Sequence, residues 1–204
     1  MNLSPPPRVL RCGSSEDRLR PDKQILTSEL LVTRCQRGDR EAFDELVRLW
    51  ERSLFYYLRR LATTEADAWD LLQETWMKVY RSIGSIRDPR TFPAFLYTTA
   101  RNAAVTRLRL RGERAMDDAR NGQAPAGEPS HACAFIAFDD AEQVHHALDQ
   151  LPLPQREAVT LYFLEELSID EIAQVLNVPV GTVKSRLHYG KQAIRDIITN
   201  GGAT

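Results

Sequence analysis

The chain has 204 residues, 43% of them hydrophobic and 27% charged, with a formal net charge of −1. This permits one large domain or two small ones with modest cores, and no apolar stretch approaches a membrane span or a signal-peptide core, so the expected compartment is the cytoplasm. Three widely spaced cysteines, Cys12, Cys35 and Cys133, argue against a disulfide framework. No metal or other cofactor is expected, because adjacent residues such as His145 and His146 point about a hundred degrees apart on a helix.

The near-neutral total hides a local polarity: Ser28 to Gly112 holds fifteen Lys/Arg against eleven Asp/Glu, whereas Glu113 to Asp140 holds two against six. Residues 1–26 carry Pro, Ser and Arg without periodicity and read as a disordered extension. From Thr27, the apolar Leu30, Leu31 and Cys35 make a short helical stripe that stops at Gly38. Asp39 can then cap a longer helix through Phe43, Leu46, Val47, Trp50, Leu54, Tyr57, Leu58 and Leu61. A third helix, from about Thr64 to Ile83, turns Ala68, Leu71, Leu72, Thr75, Val79 and Ile83 inward and leaves Asp67, Asp70, Gln73, Glu74 and Lys78 largely outward. Asp70 and Glu74 are four apart, so like charges stack on one face, a mild penalty that solvent or a cationic partner relieves.

Arg87 to Arg90, with Pro89, breaks this helix, and Thr91 opens a fourth that carries Phe92, Phe95, Leu96, Ala100, Ala103, Ala104 and Leu108. Between Pro89 and Gly112 there is no acid. Arg90, Arg101, Arg107, Arg109 and Arg111 interleave there with Phe92, Phe95 and Tyr97, with Asn102 beside them. Cations among rings are the ingredients for holding phosphates and capturing unpaired bases, although Phe95 and Leu96 also suit a core. Residues 113–138 are rich in Gly, Pro, Ala, Asp and Asn without a period and read as a flexible linker.

Beyond it, Ala141 to Asp149 and Pro154 to Leu164 are expected as helices, with Leu148, Leu151, Val159, Leu161 and Phe163 as a small core. The stretch Leu167 to Leu187 then reads as two short helices at a sharp turn. Ser168 caps the first, and Glu171 completes a capping box. Ile169, Ile172, Ala173 and Leu176 recur at helical spacing, and Asn177 stands where the turn needs positive φ. Pro179 opens the second helix. There Val183 and Leu187 face inward and leave Thr182, Lys184, Ser185, Arg186 and His188 outward or flanking, hydroxyls and cations that the major groove of DNA accepts. No acid occurs from Ile172 to Arg195. Gly190 is expected to interrupt the last helix.

Taken together, these blocks resemble the small extracytoplasmic-function sigma factors of bacterial RNA polymerase, in the sigma-70 family. The resemblance rests on Arg37-Gly-Asp-Arg-Glu-Ala-Phe43, Asp67-Ala-Trp-Asp-Leu-Leu-Gln-Glu-Thr-Trp-Met-Lys-Val-Tyr80, Phe92-Pro-Ala-Phe-Leu-Tyr-Thr-Thr-Ala-Arg-Asn102, Leu151-Pro-Leu-Pro-Gln-Arg-Glu157 and Ser168 to Leu187. It implies an all-α protein of two small helical domains joined by a flexible linker: sigma region two over 27–112 and sigma region four over 139–200. It further implies that Asp70, Gln73 and Glu74 dock on core RNA polymerase, that Arg101, Asn102, Arg107 and Arg109 touch the minus-ten element of promoter DNA, and that Thr182, Lys184, Ser185, Arg186 and His188 read the minus-thirty-five element. An anti-sigma factor is the implied inhibitory partner. Phe95 stands where the family usually has Trp, Thr106 where it has Asp, and Tyr189 near where it has a cation.

Two other classes are weighed against this. A helix-turn-helix regulator acting without core polymerase explains Ser168 to Leu187 but leaves Asp67 to Tyr80 without a task. An enzyme needs convergent catalytic groups, and the sequence offers no Gly-rich phosphate loop, His/Cys cluster or nucleophile elbow.

Overall fold

Capping side chains at Asp39, Thr64 and Ser168 start three of the helices in the computed structural model, which describes residues 19–120 and 139–201. Helix α1 (Leu19–Gln36) ends at Gly38, whose φ of 88° only a glycine adopts cheaply. The Asp39 side chain then accepts from the Ala42 amide to start α2 (Arg40–Leu61). Thr64 accepts from the Asp67 amide and starts α3 (Glu65–Ser82). Two 3-10 turns, Ile83–Ser85 and Pro89–Thr91, lead into α4 (Phe92–Arg120), the second of them capped by Asp88. The remaining helices are α5 (Asp139–Gln150), α6 (Leu153–Phe163), α7 (Ile169–Leu176) and α8 (Val180–Gly201). No strand occurs among the described residues.

Two boundaries depart from expectation. Helix α1 begins at Leu19 rather than near Thr27, since Pro21 falls in the first turn, where its missing N–H costs nothing. Ser28 ties this helix down: its buried hydroxyl accepts from Trp50 Nε1 at 2.8 Å and donates to the Gln24 carbonyl at 2.7 Å. Helix α4 runs on to Arg120, past the expected end near Gly112, because Glu113 to Arg120 is rich in helix-favouring Glu, Arg, Ala and Met although it has no apolar stripe. The remainder of the expected extension, residues 1–18, and of the expected linker, residues 121–138, lies outside the described residues, as do Cys12 and Cys133.

The core of the first block is aromatic. Trp50 meets Phe92 and Tyr97 edge-on at centroid distances of 6.1 and 6.2 Å, and Tyr57 meets Tyr97 at 5.3 Å. Leu46, Leu54, Leu58, Leu71 and Leu96 fill the space around them. In the second block Leu148, Leu161, Ile172, Leu176 and Val183 are buried where α5, α6, α7 and α8 converge. The blocks touch: α7 packs on α4, α6 packs on α2, and their buried residues form one continuous core.

Gly190 does not interrupt α8, which passes through it unbroken. It lies buried where α6 crosses, and a Cβ there would stand 2.7 Å from Val159 Cγ2. The glycine is a packing requirement rather than a break. Gly190→Ala gains about 1 kcal/mol of helix propensity but overpacks the crossing at a cost of about 1–3 kcal/mol. The expected net result is a melting temperature lowered by a few degrees, with part of the loss recovered when Val159→Ala makes room. Calorimetry of the single and double variants checks this, and an unchanged or raised midpoint in Gly190→Ala contradicts it.

Candidate nucleic-acid and protein interfaces

Helix α3 carries two adjacent outward stripes. Asp70 and Glu74 form one, and their mutual repulsion is relieved within the chain: Arg107 of α4 brings Nη1 to 3.4 Å from Asp70 and Nη2 to 3.5 Å from Glu74, while Lys78 Nζ lies 2.7 Å from Glu74. Asp67, expected outward, is buried, because this face of α3 turns toward the cations of α4. Burial alone would raise its pKa. A hydrogen bond from Arg111, another involving Thr64, and the nearby charges of Arg111 and Arg107 outweigh that and hold it below the usual carboxylate value.

The second stripe is Trp69, Gln73 and Met77, four residues apart. Trp69 and Met77 are half exposed, as is Tyr80. With Phe43, Val47 and Asp70 they line an open groove of about 750 Å³. Ring contacts fix its walls, Phe55 against Trp69 at 4.2 Å and Phe43 against Tyr80 at 5.0 Å. Gln73 and Asp70 therefore belong to a largely apolar surface. Sequence reasoning missed Trp69, Met77 and Tyr80 as surface residues; the available signal was that they are large apolar side chains left over from the inward stripe.

The four candidates on α4 do not share one face. Arg101 Nε donates to the buried Glu157 of α6 at 2.9 Å. Arg107 is engaged with α3. Asn102 and Arg109 are exposed, and with Val105 and Thr106 they follow the i, i+3, i+4, i+7 spacing of a single solvent-facing strip. Val105 and Thr106 were absent from the expected set, although that spacing contains them.

The helix-turn-helix forms as its residues require. Ser168 Oγ accepts from the Glu171 amide and the Glu171 carboxylate accepts from the Ser168 amide, closing the capping box. Asn177 adopts φ 51° and ψ 52°, and the Thr182 amide bonds the Pro179 carbonyl at 2.8 Å to start α8. Val183 and Leu187 are buried against α7, and Lys184, Ser185 and His188 are exposed, with Thr182 and Arg186 half-buried. Ser185 Oγ donates to the Thr182 carbonyl at 2.9 Å. Tyr189, 58% exposed, completes a strip with Thr182, Ser185 and Arg186 at helical spacing; it too was missed.

Between the blocks, Arg60 Nη1 lies 2.6 Å from Asp149, and Arg156 Nη1 donates to the Arg60 carbonyl at 3.2 Å. Tyr97 Oη donates to Glu165 in the α6–α7 loop, and Ser53 is a second hydrogen-bond partner of the same carboxyl. Glu166 beside it sits at φ 54°, a conformation unusual for a glutamate, which turns the loop so that Glu165 enters the gap. Among the described residues no group of three or more His, Cys, Asp or Glu could hold a metal ion, and no helix is long and apolar enough to cross a membrane.

An all-α fold whose last two helices form a helix-turn-helix, the second of them without an acid from Val180 to Arg195, defines a helix-turn-helix protein of the DNA-binding kind. Residues 46–114 match the family model of Sigma-70 region 2, and residues 141–194 match that of Sigma-70, region 4. RNA polymerase sigma-H factor of Pseudomonas aeruginosa is 36% identical over 173 residues, covering 80% of this chain and 90% of that protein. ECF RNA polymerase sigma-E factor of Escherichia coli is 33% identical over 178 residues, 83% of this chain and 93% of that protein. The sigma factor RpoE of Bartonella quintana, solved with the anti-sigma factor NepR, superposes with a TM-score of 0.65 at 25% identity, covering 77% of this chain and 96% of that one. CnrH, solved with the cytosolic domain of CnrY, shares the fold at a TM-score of 0.62 and 22% identity, covering 85% and 98%. The chain belongs to the sigma-70 family, in its extracytoplasmic-function (ECF) branch.

The contact between blocks has a titratable centre. Burial raises the Glu165 pKa to about 8, with the Glu166 charge acting in the same direction and the Tyr97 and Ser53 hydrogen bonds opposing. At neutral pH its carboxyl is therefore mostly protonated in the folded protein and ionised in the unfolded chain. The sign follows: this group's contribution to stability is complete below its unfolded value of about 4.3, declines above it, and is gone once the pH has risen through about 8. Thermal midpoints measured across that range should fall with pH in the wild type and fall less in Glu165→Gln. Parallel curves for the two proteins refute the assignment.

Proposed function

We propose that this chain is a transcription initiation factor that binds core RNA polymerase and directs it to promoters. In this reading the block of α1 to α4 acts as region two and that of α5 to α8 as region four, with residues 121–138 as the tether between them and 1–18 as an extension. The chain works in the cytoplasm, where polymerase and promoter are, and an anti-sigma factor is its inhibitor, a reading supported by the Bartonella quintana relative having been solved in complex with the anti-sigma factor NepR. The observation that carries the reading is the presence in one chain of a helix-turn-helix with a basic second helix and, on α3, an acidic stripe beside an apolar groove. A regulator acting without polymerase has no use for the groove. Run-off transcription with purified core polymerase on a fragmented genomic library tests the whole proposal.

Asp70, Gln73 and Glu74 are assigned to the polymerase contact, with Trp69, Met77 and Tyr80 supplying the apolar part. An apolar core with charged residues at its rim is how protein interfaces combine affinity with register. Reversing Asp70 and Glu74 together to Lys should abolish co-elution with core polymerase while leaving the helical circular dichroism signal intact. Undiminished co-elution removes α3 from the interface.

Arg101, Asn102, Arg107 and Arg109 are assigned to the minus-ten element, and Thr182, Lys184, Ser185, Arg186 and His188 to the minus-thirty-five element. Within the second set the roles divide by chemistry. Arg presents a fixed fork that bridges the two acceptors of a guanine, whereas Lys is a flexible point charge. Arg186→Ala should cost about 1–3 kcal/mol on the preferred promoter and relax preference at one position, and Lys184→Ala should weaken all sequences more evenly. Binding of each variant holoenzyme to single-base promoter variants at fixed salt decides. A uniform loss from Arg186→Ala, with the promoter rank order preserved, assigns that residue to the DNA backbone instead.

A further inference from the structure

We infer that Arg107 is an internal competitor of core polymerase for the acidic stripe of α3: it occupies Asp70 and Glu74, and a basic polymerase surface has to displace it in order to dock. The inference rests on the assignment of Asp70 and Glu74 to the polymerase contact made above. It adds the residue that limits how tightly that contact forms.

The stripe is electrically balanced within the chain. Arg107 stands between the two acids, with Nη1 3.4 Å from Asp70 Oδ2 and Nη2 3.5 Å from Glu74 Oε2, and Lys78 lies 2.7 Å from the other oxygen of Glu74. A guanidinium is a planar fork, and here its two prongs go to two carboxylates one turn apart on the same helix face. The side chains of Asp70 and Glu74 are 67% and 39% exposed, that of Arg107 only 28%. A partner can therefore reach the acids from solvent while the arginine holds them from the α4 side. An incoming cation meets carboxylates that are already neutralised and, beside them, a like charge that opposes it.

Arg107 is also built to yield. Asp67, the buried acid of this face, accepts from Arg111, one turn further along α4, whereas Arg107 Nη1 stands 3.8 Å from it. Displacing Arg107 therefore does not leave a buried carboxylate unpaired, which would be strongly unfavourable. Its contact with the Asp67 carbonyl, at 3.5 Å, is as long as those with Asp70 and Glu74. Bonds of that length to partly exposed groups are weak. A cleft of about 380 Å³ between α3 and α4, which Thr106 and Leu110 line together with these charges, gives the guanidinium room to turn. Arg111 thus fastens α4 to α3, and Arg107 limits access to the acids.

This role has a definite sign. A residue that supports a contact weakens it when removed, whereas a competitor strengthens it. Arg107→Ala frees both carboxylates and removes the opposing charge, so core polymerase should bind the variant more tightly. The expected gain is roughly fivefold, the size set by a partly exposed ion pair. It is largest at low ionic strength, because salt screens the charges that the substitution uncovers.

The test measures the affinity of the full-length, fluorescently labelled chain for purified core polymerase in the absence of DNA, by anisotropy at several salt concentrations. Leaving DNA out keeps the promoter assignment of Arg107 from entering the result. Circular dichroism confirms that each variant keeps its helicity. Arg107→Ala should lower the Kd roughly fivefold at low salt, with the difference from wild type narrowing as salt rises. The gain should be smaller in an Asp70→Asn background and in a Glu74→Gln background, since each has already lost one of the acids competed for.

Unchanged or weaker binding by Arg107→Ala at full helicity overturns the inference, and weaker binding makes the residue a brace instead. A gain of the same size in both neutralised backgrounds also overturns it, because the effect is then one of net charge alone. Should Arg107→Ala lose helicity, Arg107→Gln keeps a donor for the Asp67 carbonyl without the charge and is judged by the same outcomes. Reversing Asp70 and Glu74 to Lys in the same assay separates the two readings. Undiminished binding there overturns the polymerase contact and the competition together, whereas lost binding there with no gain from Arg107→Ala overturns the competition alone.

Discussion

The arrangement depends most on Tyr97. Its ring is wholly buried and stands edge-on to both Trp50 and Tyr57, so the packing of α4 on α2 is organised around it. A buried phenol needs a partner for its hydroxyl, and the partner that the chain supplies comes from the other block, in the α6–α7 loop. The same side chain therefore finishes the aromatic core of the first block and joins the second block to it. Glu165 can accept this bond deep in the interface because its carboxyl is predominantly neutral there at neutral pH, which removes most of the cost of burying a charge.

Charge is distributed along the chain in a way that makes sense only in three dimensions. The cations of α4 up to Arg111 stand in a stretch without acids in sequence, yet three of them meet acids in space: Arg107 and Arg111 those of α3, and Arg101 that of α6. These pairs are unequal. An exposed pair such as Lys78 with Glu74 contributes about 0.3–0.5 kcal/mol and serves mainly to keep like charges apart on α3. The Arg101–Glu157 pair is buried, and its importance lies in how unfavourable it is to break by halves. The exposed strip of Asn102, Val105, Thr106 and Arg109 is less basic than the sequence of the helix suggests.

Glycine and asparagine have the same kind of dependence on context. Asn177 is readable locally, because a turn between two helices needs positive φ wherever it occurs. Gly190 is not, since nothing in α8 itself asks for a glycine there. The requirement comes from Val159 on another helix crossing overhead.

Local physical rules are enough to read most of this protein. Caps at Asp39, Thr64 and Ser168, the left-handed turn at Asn177 and the inward stripes of α2, α3 and α8 follow from spacing, because a helix fixes which side chains share a face before any partner is known. The order of the acid-faced helix and the helix-turn-helix was likewise sufficient to point to the sigma-70 family. Tertiary structure alone decided which outward residues stay outward. Asp67 is expected outward and is buried under Arg111; Arg101 and Arg107, expected at promoter DNA, are held by acids far away in sequence; Trp69, Met77 and Tyr80 emerge as a groove wall. The reason is that a helix period states only that a residue leaves its own helix's core. Whether it then meets water or another element depends on contacts between distant segments, which no local pattern encodes.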